Sequence, residues 1–445
     1  MSIEAIRHGV DQIQAQQSET NRVYQAFRGE GSVVYVSKDA ERALDKKVKK
    51  LGVNFPRLVV QALAERTRVQ AFRRIGETQA DAELWRLWRR AGLEHKSELV
   101  HIDRALYGAS YVTVWGHVKN PQWPVTMIDS PRTMWADVDP ATDELERAVR
   151  VWKHQGQQWA LLLEPGRLSK YRAKSSGDLA AAGPWQHMET TENPWGMLPT
   201  VPMVRRTSAE DYAGTSAAAD VLDLSDALAK VLQDVMVTSE YHSRPRRWAT
   251  GLEIEEDEDG NPVDPFGDSR LLQSEDAATR FGQLPPAELG GYTDINAMLT
   301  QHIGSLTGLP PHYLGLHGDQ PANADSIRAS ETQLVTRAQS EMRQLGRQWA
   351  EVAGWLQAVA AGTDVADDVV TVWESAEMTT PGASADAAQK LHGMGVPLRT
   401  LLRDPLRFEP HEIDQIVKDQ GKELALRTAF NTRAGVNGSS AGGGD

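Results

Sequence analysis

The sequence predicts an α+β fold, and three observations carry that expectation. Helical periodicity dominates the first hundred residues, short apolar runs broken by Pro and Gly fill residues 110–204, and one outsized helix follows near residues 326–360. A chain of 445 residues exceeds one ordinary core, so two or more domains are expected.

Residues 1–28 read as helix, followed by the turn Gly29-Glu30-Gly31 and a short strand at 33–36. A second helix starts near Phe55-Pro56, because proline fits a first turn whose N–H has no intrahelical partner. Leu58, Val59, Ala62 and Leu63 share its apolar face, and it leads to a strand at 68–72. Two further helices, at 80–91 and 95–107, present Leu84/Trp85/Leu87/Trp88 and Leu99/Ile102/Leu106.

From Ser110 to Val204 the pattern changes to apolar runs at 111–115, 125–128, 134–138, 147–152, 159–163 and 168–171. Rich in Val, Trp and Tyr and closely spaced, they read as antiparallel strands. Trp115, Trp135, Trp152 and Trp159 are expected to fill sheet interiors rather than line an aromatic groove.

Ala218 to Met236 is strongly helical, with Val221, Leu224, Leu228, Leu232 and Val235 on one face, and it ends before Arg244-Pro245. The segment between this helix and the next, which begins near Asp294, reads as a small β excursion with strands at 248–254 and 271–272. The two helices are then expected to lie side by side and support a projecting tip. After the loop 309–315, Asn323 and Asp325 can cap a helix whose apolar stripe is Ile327, Leu334, Ala338, Met342, Leu345, Trp349, Val352 and Leu356. At 1.5 Å per residue such a helix is roughly 50 Å long. An apolar run at 369–373, a helical tail from 384 to about 429, and a Gly/Ser-rich end expected to be disordered complete the chain.

Composition removes several function classes. With no cysteine, the chain has no disulfide, thiolate nucleophile or Cys-ligated zinc. No apolar run reaches the length of a membrane span, and the polar start lacks the apolar centre of a signal peptide. The expectation is therefore a mature chain kept in a cytoplasm-like compartment. A formal charge of −13 opposes broad, tight gripping of nucleic acid, but an acidic channel lining would favour passage of a polyanion over binding. Six acids lie in the seven positions from Glu253 to Asp259, a run read as solvated surface.

Catalytic constellations are missing from the sequence. Gly421-Lys422 is followed by Glu423 within a helical segment, so no phosphate-cradling loop forms there, and neither a His-Glu-x-x-His helix nor a Gly-x-Ser-x-Gly elbow occurs. His312, His317 and Asp319 could be drawn as a divalent-metal site, but their spacing reads as ordinary loop chemistry. No cofactor is expected. A mechanical or assembly protein fits better than an enzyme.

Several phrases, in order, resemble the portal proteins (head-to-tail connectors) of tailed bacteriophages. They are the stretches 53–66 and 69–73, Tyr107-Gly108-Ala109-Ser110-Tyr111, Leu198-Pro199-Thr200-Val201-Pro202, Arg246-Arg247-Trp248-Ala249-Thr250-Gly251, and Asn323-Ala324-Asp325-Ser326-Ile327-Arg328. The resemblance implies a homo-oligomeric ring, usually of about twelve subunits, at one capsid vertex. It divides the chain into a wing of helices and strands (1–213), a first stem helix (214–243), a clip (244–287), a second stem helix (288–308), a tunnel loop (309–322), a long wing helix with a return strand (323–380), a helical crown (381–430) and a disordered tail (431–445). His312, His317, Asp319, Gln320 and Asn323 are then expected at the DNA channel, and Arg246, Arg247, Glu255, Glu256 and Asp257 where the clip docks partners. The implied partners are further copies of the chain, the terminase large subunit, which would hydrolyse ATP, a head-tail adaptor, the major capsid and scaffold proteins, and double-stranded DNA in passage. No membrane is involved, and the implied location is the virion, with the host cytoplasm during assembly. Two rival readings are a head-morphogenesis or scaffolding protein without a channel, and a metal-dependent cytoplasmic hydrolase using His312, His317 and Asp319.

Overall fold

The computed structural model describes residues 2–30, 52–174, 184–243, 247–251, 278–283, 290–316, 324–377, 381–406, 408 and 410–438. The chain forms two compact units. The first comprises Met1–Gln17, Gln61–Ser216 and Thr332–Asp445, and the second Ser18–Val60 and Ala217–Glu331.

Helix α1 (Ser2–Ala15) opens the first unit and α2 (Gln17–Arg28) the second, where the sequence reads one continuous helix. The expected strand at 33–36 lies outside the described residues. Helix α3 (Phe55–Ala64) leads into β1 (Val69–Arg74), then α4 (Ala82–Arg90) and α5 (Leu93–Tyr107). Asp81 caps α4 by accepting from the backbone N–H groups of Glu83 and Leu84, which have no intrahelical partners.

A three-stranded antiparallel sheet has the order β3 (Asn120–Asp129), β2 (Ala109–His117), β9 (Thr200–Val204). A five-stranded antiparallel meander follows chain order through β4 (Met134–Asp139), β5 (Glu144–His154), β6 (Gln157–Glu164), β7 (Arg167–Lys174) and β8 (Gln186–Glu192). All six predicted strand runs of this region fall within β2 to β7.

Both faces of the meander contribute residues to a core, and strand alternation sorts them. One face places Val149, Val151, Ala160, Leu162, Tyr171 and Ala173 against Ile6, Val10 and Ile13 of α1. Gly9 sits in the middle of that contact, where an added Cβ would come within 2.6 Å of Val149. The other face joins Ala148, Leu163 and Leu168 to Ala109, Tyr111, Met134 and Leu198.

The long helix α8 (Ala324–Ala361) has 38 residues, a length of about 57 Å. Its second half anchors the largest core: Leu345, Trp349, Val352 and Leu356 pack with Phe72, Leu84, Trp88, Val112 and Met203. The rings of Trp88 and Trp349 meet edge to face at 4.9 Å. Strand β12 (Val369–Trp373) then returns to pair antiparallel with β1. Helices α9 (Pro381–Gly393), α10 (Leu398–Arg403) and α11 (Pro410–Gly438) follow. Residues 431–438, expected to be a disordered tail, therefore continue α11, because no Pro or strong stop interrupts the helix before Gly438.

In the second unit, a 3-10 turn at Ala219–Val221 runs into helix α6 (Leu222–Ser243). Strands β10 (Arg247–Thr250) and β11 (Arg280–Gln283) form a two-stranded antiparallel ladder, and helix α7 (Gly290–Thr307) precedes a 3-10 turn at Pro311–Leu314.

Candidate functional site

The second unit is built around α6 and α7, which pack on each other. On α7 the inward stripe is Thr300, Ile303 and Thr307, at steps of three and four. Both threonine hydroxyls donate to carbonyls one turn back, Thr300 to Asn296 and Thr307 to Ile303 at 2.8 and 2.7 Å, so small polar groups are buried without orphaned donors. Gly304 lies where an added Cβ would come within 2.6 Å of Leu314, which brings the turn back against the helix.

On α6 the fully buried positions are Leu222, Ser225, Leu228, Ala229 and Gln233, while Leu224, Leu232 and Val235 are only half-buried. The inward face is thus rotated from the one its apolar residues predict. Arg22 of α2 holds the start of α6 by pairing with Asp223 and, at 3.3 Å, with Asp226.

The pair is joined at one end through the ladder β10–β11, where Arg247 sits opposite Gln283 and Thr250 opposite Arg280. At the other end, α7 stops at Gly308, whose φ of +69° suits glycine and whose N–H donates to Gly304 at 2.8 Å. Pro310 then turns the chain, and Gly315 closes the 3-10 turn at φ +71°.

Of the expected channel residues, His312 is described. It is half-exposed, its ring meets Tyr313 edge-on, and its Nε2 lies 3.7 Å from the buried carboxylate of Glu331 on α8. His317, Asp319, Gln320 and Asn323 lie outside the described residues, as do Arg246, Glu255, Glu256 and Asp257. Arg247 is the first residue of β10. Among the described residues no three His, Asp or Glu side chains gather as metal ligands, and no helix is long and apolar enough to cross a membrane.

Sequence reasoning missed a buried polar network in the first unit. Glu341 of α8 accepts from Arg104 of α5 and, at 2.8 Å, from Arg205 just after β9. Gln344 accepts from Arg104 at 2.8 Å and donates to the Arg206 carbonyl, and Gln348 donates to the Val204 carbonyl. Glu341, Gln344 and Gln348 stand at i, i+3 and i+7, a polar stripe flanking the apolar one; that spacing was the available signal. Burial alone would raise the Glu341 pKa, but the charges of Arg104 and Arg205 overcome it and hold the carboxyl below its ordinary value. The network fixes the segment leaving β9, and Arg205 also donates to the Thr215 carbonyl at 3.0 Å. Gly108 and Gly214, both at positive φ, lie backbone to backbone beside it, so that a Cβ on either would collide with the other's carbonyl.

The chain belongs to the phage portal protein family described as SPP1 Gp6-like, which matches residues 8–424. It is 32% identical over 395 residues to the portal protein of Mycobacterium phage L5, covering 84% of this chain and 79% of that one. The portal protein of Mycobacterium phage D29 is 31% identical over 397 residues, covering 84% and 80%. Among solved structures, a chain of the neck of an empty gene transfer agent particle aligns over 83% of this chain and 93% of its own, at TM-score 0.47 and 14% identity. A chain of the native particle's virion aligns over the same shares at TM-score 0.45 and 12% identity. The family match replaces the reading of a scaffolding protein without a channel.

Proposed function

We propose that copies of this chain close into a ring at one capsid vertex, through which double-stranded DNA enters during packaging and leaves during ejection. The observation that carries the reading is the α6–α7 pair, linked by a two-stranded ladder at one end and a Gly-Pro turn at the other, in a chain of the portal family. In a closed ring each subunit contacts two neighbours through different faces. The half-buried Leu224, Leu232 and Val235, with Met298 and Leu306 exposed on α7, supply apolar surface suited to such contacts.

In this reading 1–213 with 323–380 form the wing, α6 and α7 the stem, 244–287 the clip, 309–322 the tunnel loop, and 381–430 the crown. The role is mechanical rather than catalytic, and a partner terminase hydrolyses ATP. The clip, through Arg246, Arg247 and the acids Glu255, Glu256 and Asp257, docks that motor and later the head-tail adaptor. His317, Asp319, Gln320 and Asn323 face the duplex, with His312 at the base of their loop. Repeated Asp319 carboxylates keep the polyanion from sticking. Assembly takes place in the host cytoplasm, beside the capsid and scaffold proteins.

Electron micrographs of the purified full-length chain test the ring. Annular particles with a central hole are expected, and solid or filamentous assemblies, or a persistent monomer, would overturn it. Packaging by Asp319→Lys particles tests the loop: slower filling and stronger DNA retention are expected, and unchanged packaging and retention would remove the electrostatic role.

A further inference from the structure

The face of the meander that packs Ala148, Leu163 and Leu168 into a core carries, toward the β5–β6 hairpin, an aromatic and cationic ladder. Arg150 and Trp152 on β5, Trp159 on β6, and Lys170, Arg172 and Lys174 on β7 share this face by strand register. Trp152 and Trp159 are cross-strand partners with rings 13° from parallel and 6.3 Å between centroids. Cations cover both ends of the pair, with Arg150 at 5.0 Å from the Trp152 ring, and Lys170 and Arg172 at 4.8 and 5.9 Å from the Trp159 ring.

Its charge pairing sets the ladder apart from an ordinary solvated surface. Arg150 is neutralised by Asp129 at 2.7 Å, whereas Lys170, Arg172 and Lys174 have no ion-pair partner among the described residues; Glu189, opposite Lys170, does not approach within 4 Å. Along β7 the three cations repeat about every 6.6 Å, since alternate strand residues share a face. A linear polyanion can follow such a row.

We infer that this row binds the phosphate backbone of double-stranded DNA outside the channel, with Lys170, Arg172 and Lys174 contacting phosphates. The inference rests on the portal reading, which puts DNA beside the protein. Ring faces already covered by cations leave no platform for stacking bases, so the contact is to backbone and independent of sequence. An acidic protein segment is the competing occupant. Duplex length and regular charge spacing favour DNA, because the row continues along the strand instead of closing around one carboxylate.

The test uses assembled full-length rings and a random-sequence 30-base-pair duplex, with affinity measured across salt concentration. K170Q/R172Q/K174Q should flatten the log–log salt dependence by about 2 to 3 per subunit contact, since each lost phosphate contact removes about 0.9. An unchanged salt slope in intact triple-variant rings would overturn the inference, as would poly-glutamate displacing the duplex at equal charge concentration, which would assign the face to an acidic protein. Wild-type chains that fail to form rings would count against the portal reading instead, so the two failures are separable.

Discussion

Trp349 on the long helix donates its indole N–H to Nε2 of His101 across 2.8 Å in the centre of the largest core. The acceptor role of Nε2 places the ring proton on Nδ1, which lies 3.2 Å from the Thr67 hydroxyl. That hydroxyl in turn donates to the Ala64 carbonyl at 3.1 Å, so the chain of bonds uses each polar atom once. The arrangement requires a neutral imidazole.

Burial, reinforced by the nearby positive charge of Arg104, lowers the His101 pKa from 6.5 to about 3. Between those values the unfolded chain binds a proton that the folded one does not. Stability should therefore fall as pH drops from 6.5 toward 3, by a few kcal/mol at most. Urea midpoints of the wild type and of H101Q across this range check it: the variant should be less stable at pH 7 and should lose the His101 part of the slope. An equal slope in both would place the acid sensitivity elsewhere.

Asp103, two residues on, works in the opposite sense. Its burial raises its pKa to about 6, with Arg132 opposing and Asp129 adding to the rise. The folded state thus holds a proton more tightly, and stability is lost as pH rises from about 4 to 6. Asp103→Asn should raise the melting temperature at pH 7.5, by roughly 1 to 2 kcal/mol of stability, and make little difference at pH 3.5. Stabilisation of the same size at both pH values would show that charge is not the cause.

Removing Glu341 leaves Arg104, almost wholly buried, without its carboxylate. E341A should cost about 3 to 5 kcal/mol by denaturant unfolding. Replacing both partners, as R104M/E341L, should cost less than the sum of the single changes, because the almost wholly buried Arg104 charge is removed with its carboxylate and only the more exposed Arg205 loses its partner. Additive single and double variants would show that the pair is not coupled.

Gly108→Ala should be far more harmful than Gly76→Ala. Both glycines have positive φ, +87° and +85°, but Gly76 has open space around its missing Cβ while Gly108 faces the Gly214 backbone. Backbone strain alone costs of order 1 kcal/mol, and the collision should add about 2 more. Equal melting temperatures for the two variants would mean that the chain crossing beside Gly214 gives way freely.

Elements with their own apolar signature were legible in the sequence. Val369–Trp373 combines β-branched residues with a terminal Trp, and its strand bounds match the run that the sequence shows. Strand β8 was not legible, because Gln186–Glu192 has one apolar residue, Met188, and is exposed throughout. Its conformation comes from pairing with β7, a tertiary cause. Strand β9 contains Pro202, which argues against a central strand; it is an edge strand, where a missing N–H costs nothing. The helix pair was readable from periodicity, but the Arg104–Glu341 contact joins residues 237 positions apart, and no local pattern announces such a meeting. The rotated face of α6 was hidden for a related reason: Ser225 and Gln233 lie inward although their side chains are polar.

The pairing of β1 with β12 has a consequence for synthesis. These strands lie roughly 300 residues apart, and Trp349 must also arrive before Trp88 and His101 find their partners. At ribosomal speeds the early strand waits about 15 to 60 s for the late one. A nascent polypeptide that terminates prematurely keeps its central hydrophobic surface open, which marks it for chaperones and proteases. Only chains translated past Trp373 can close that surface.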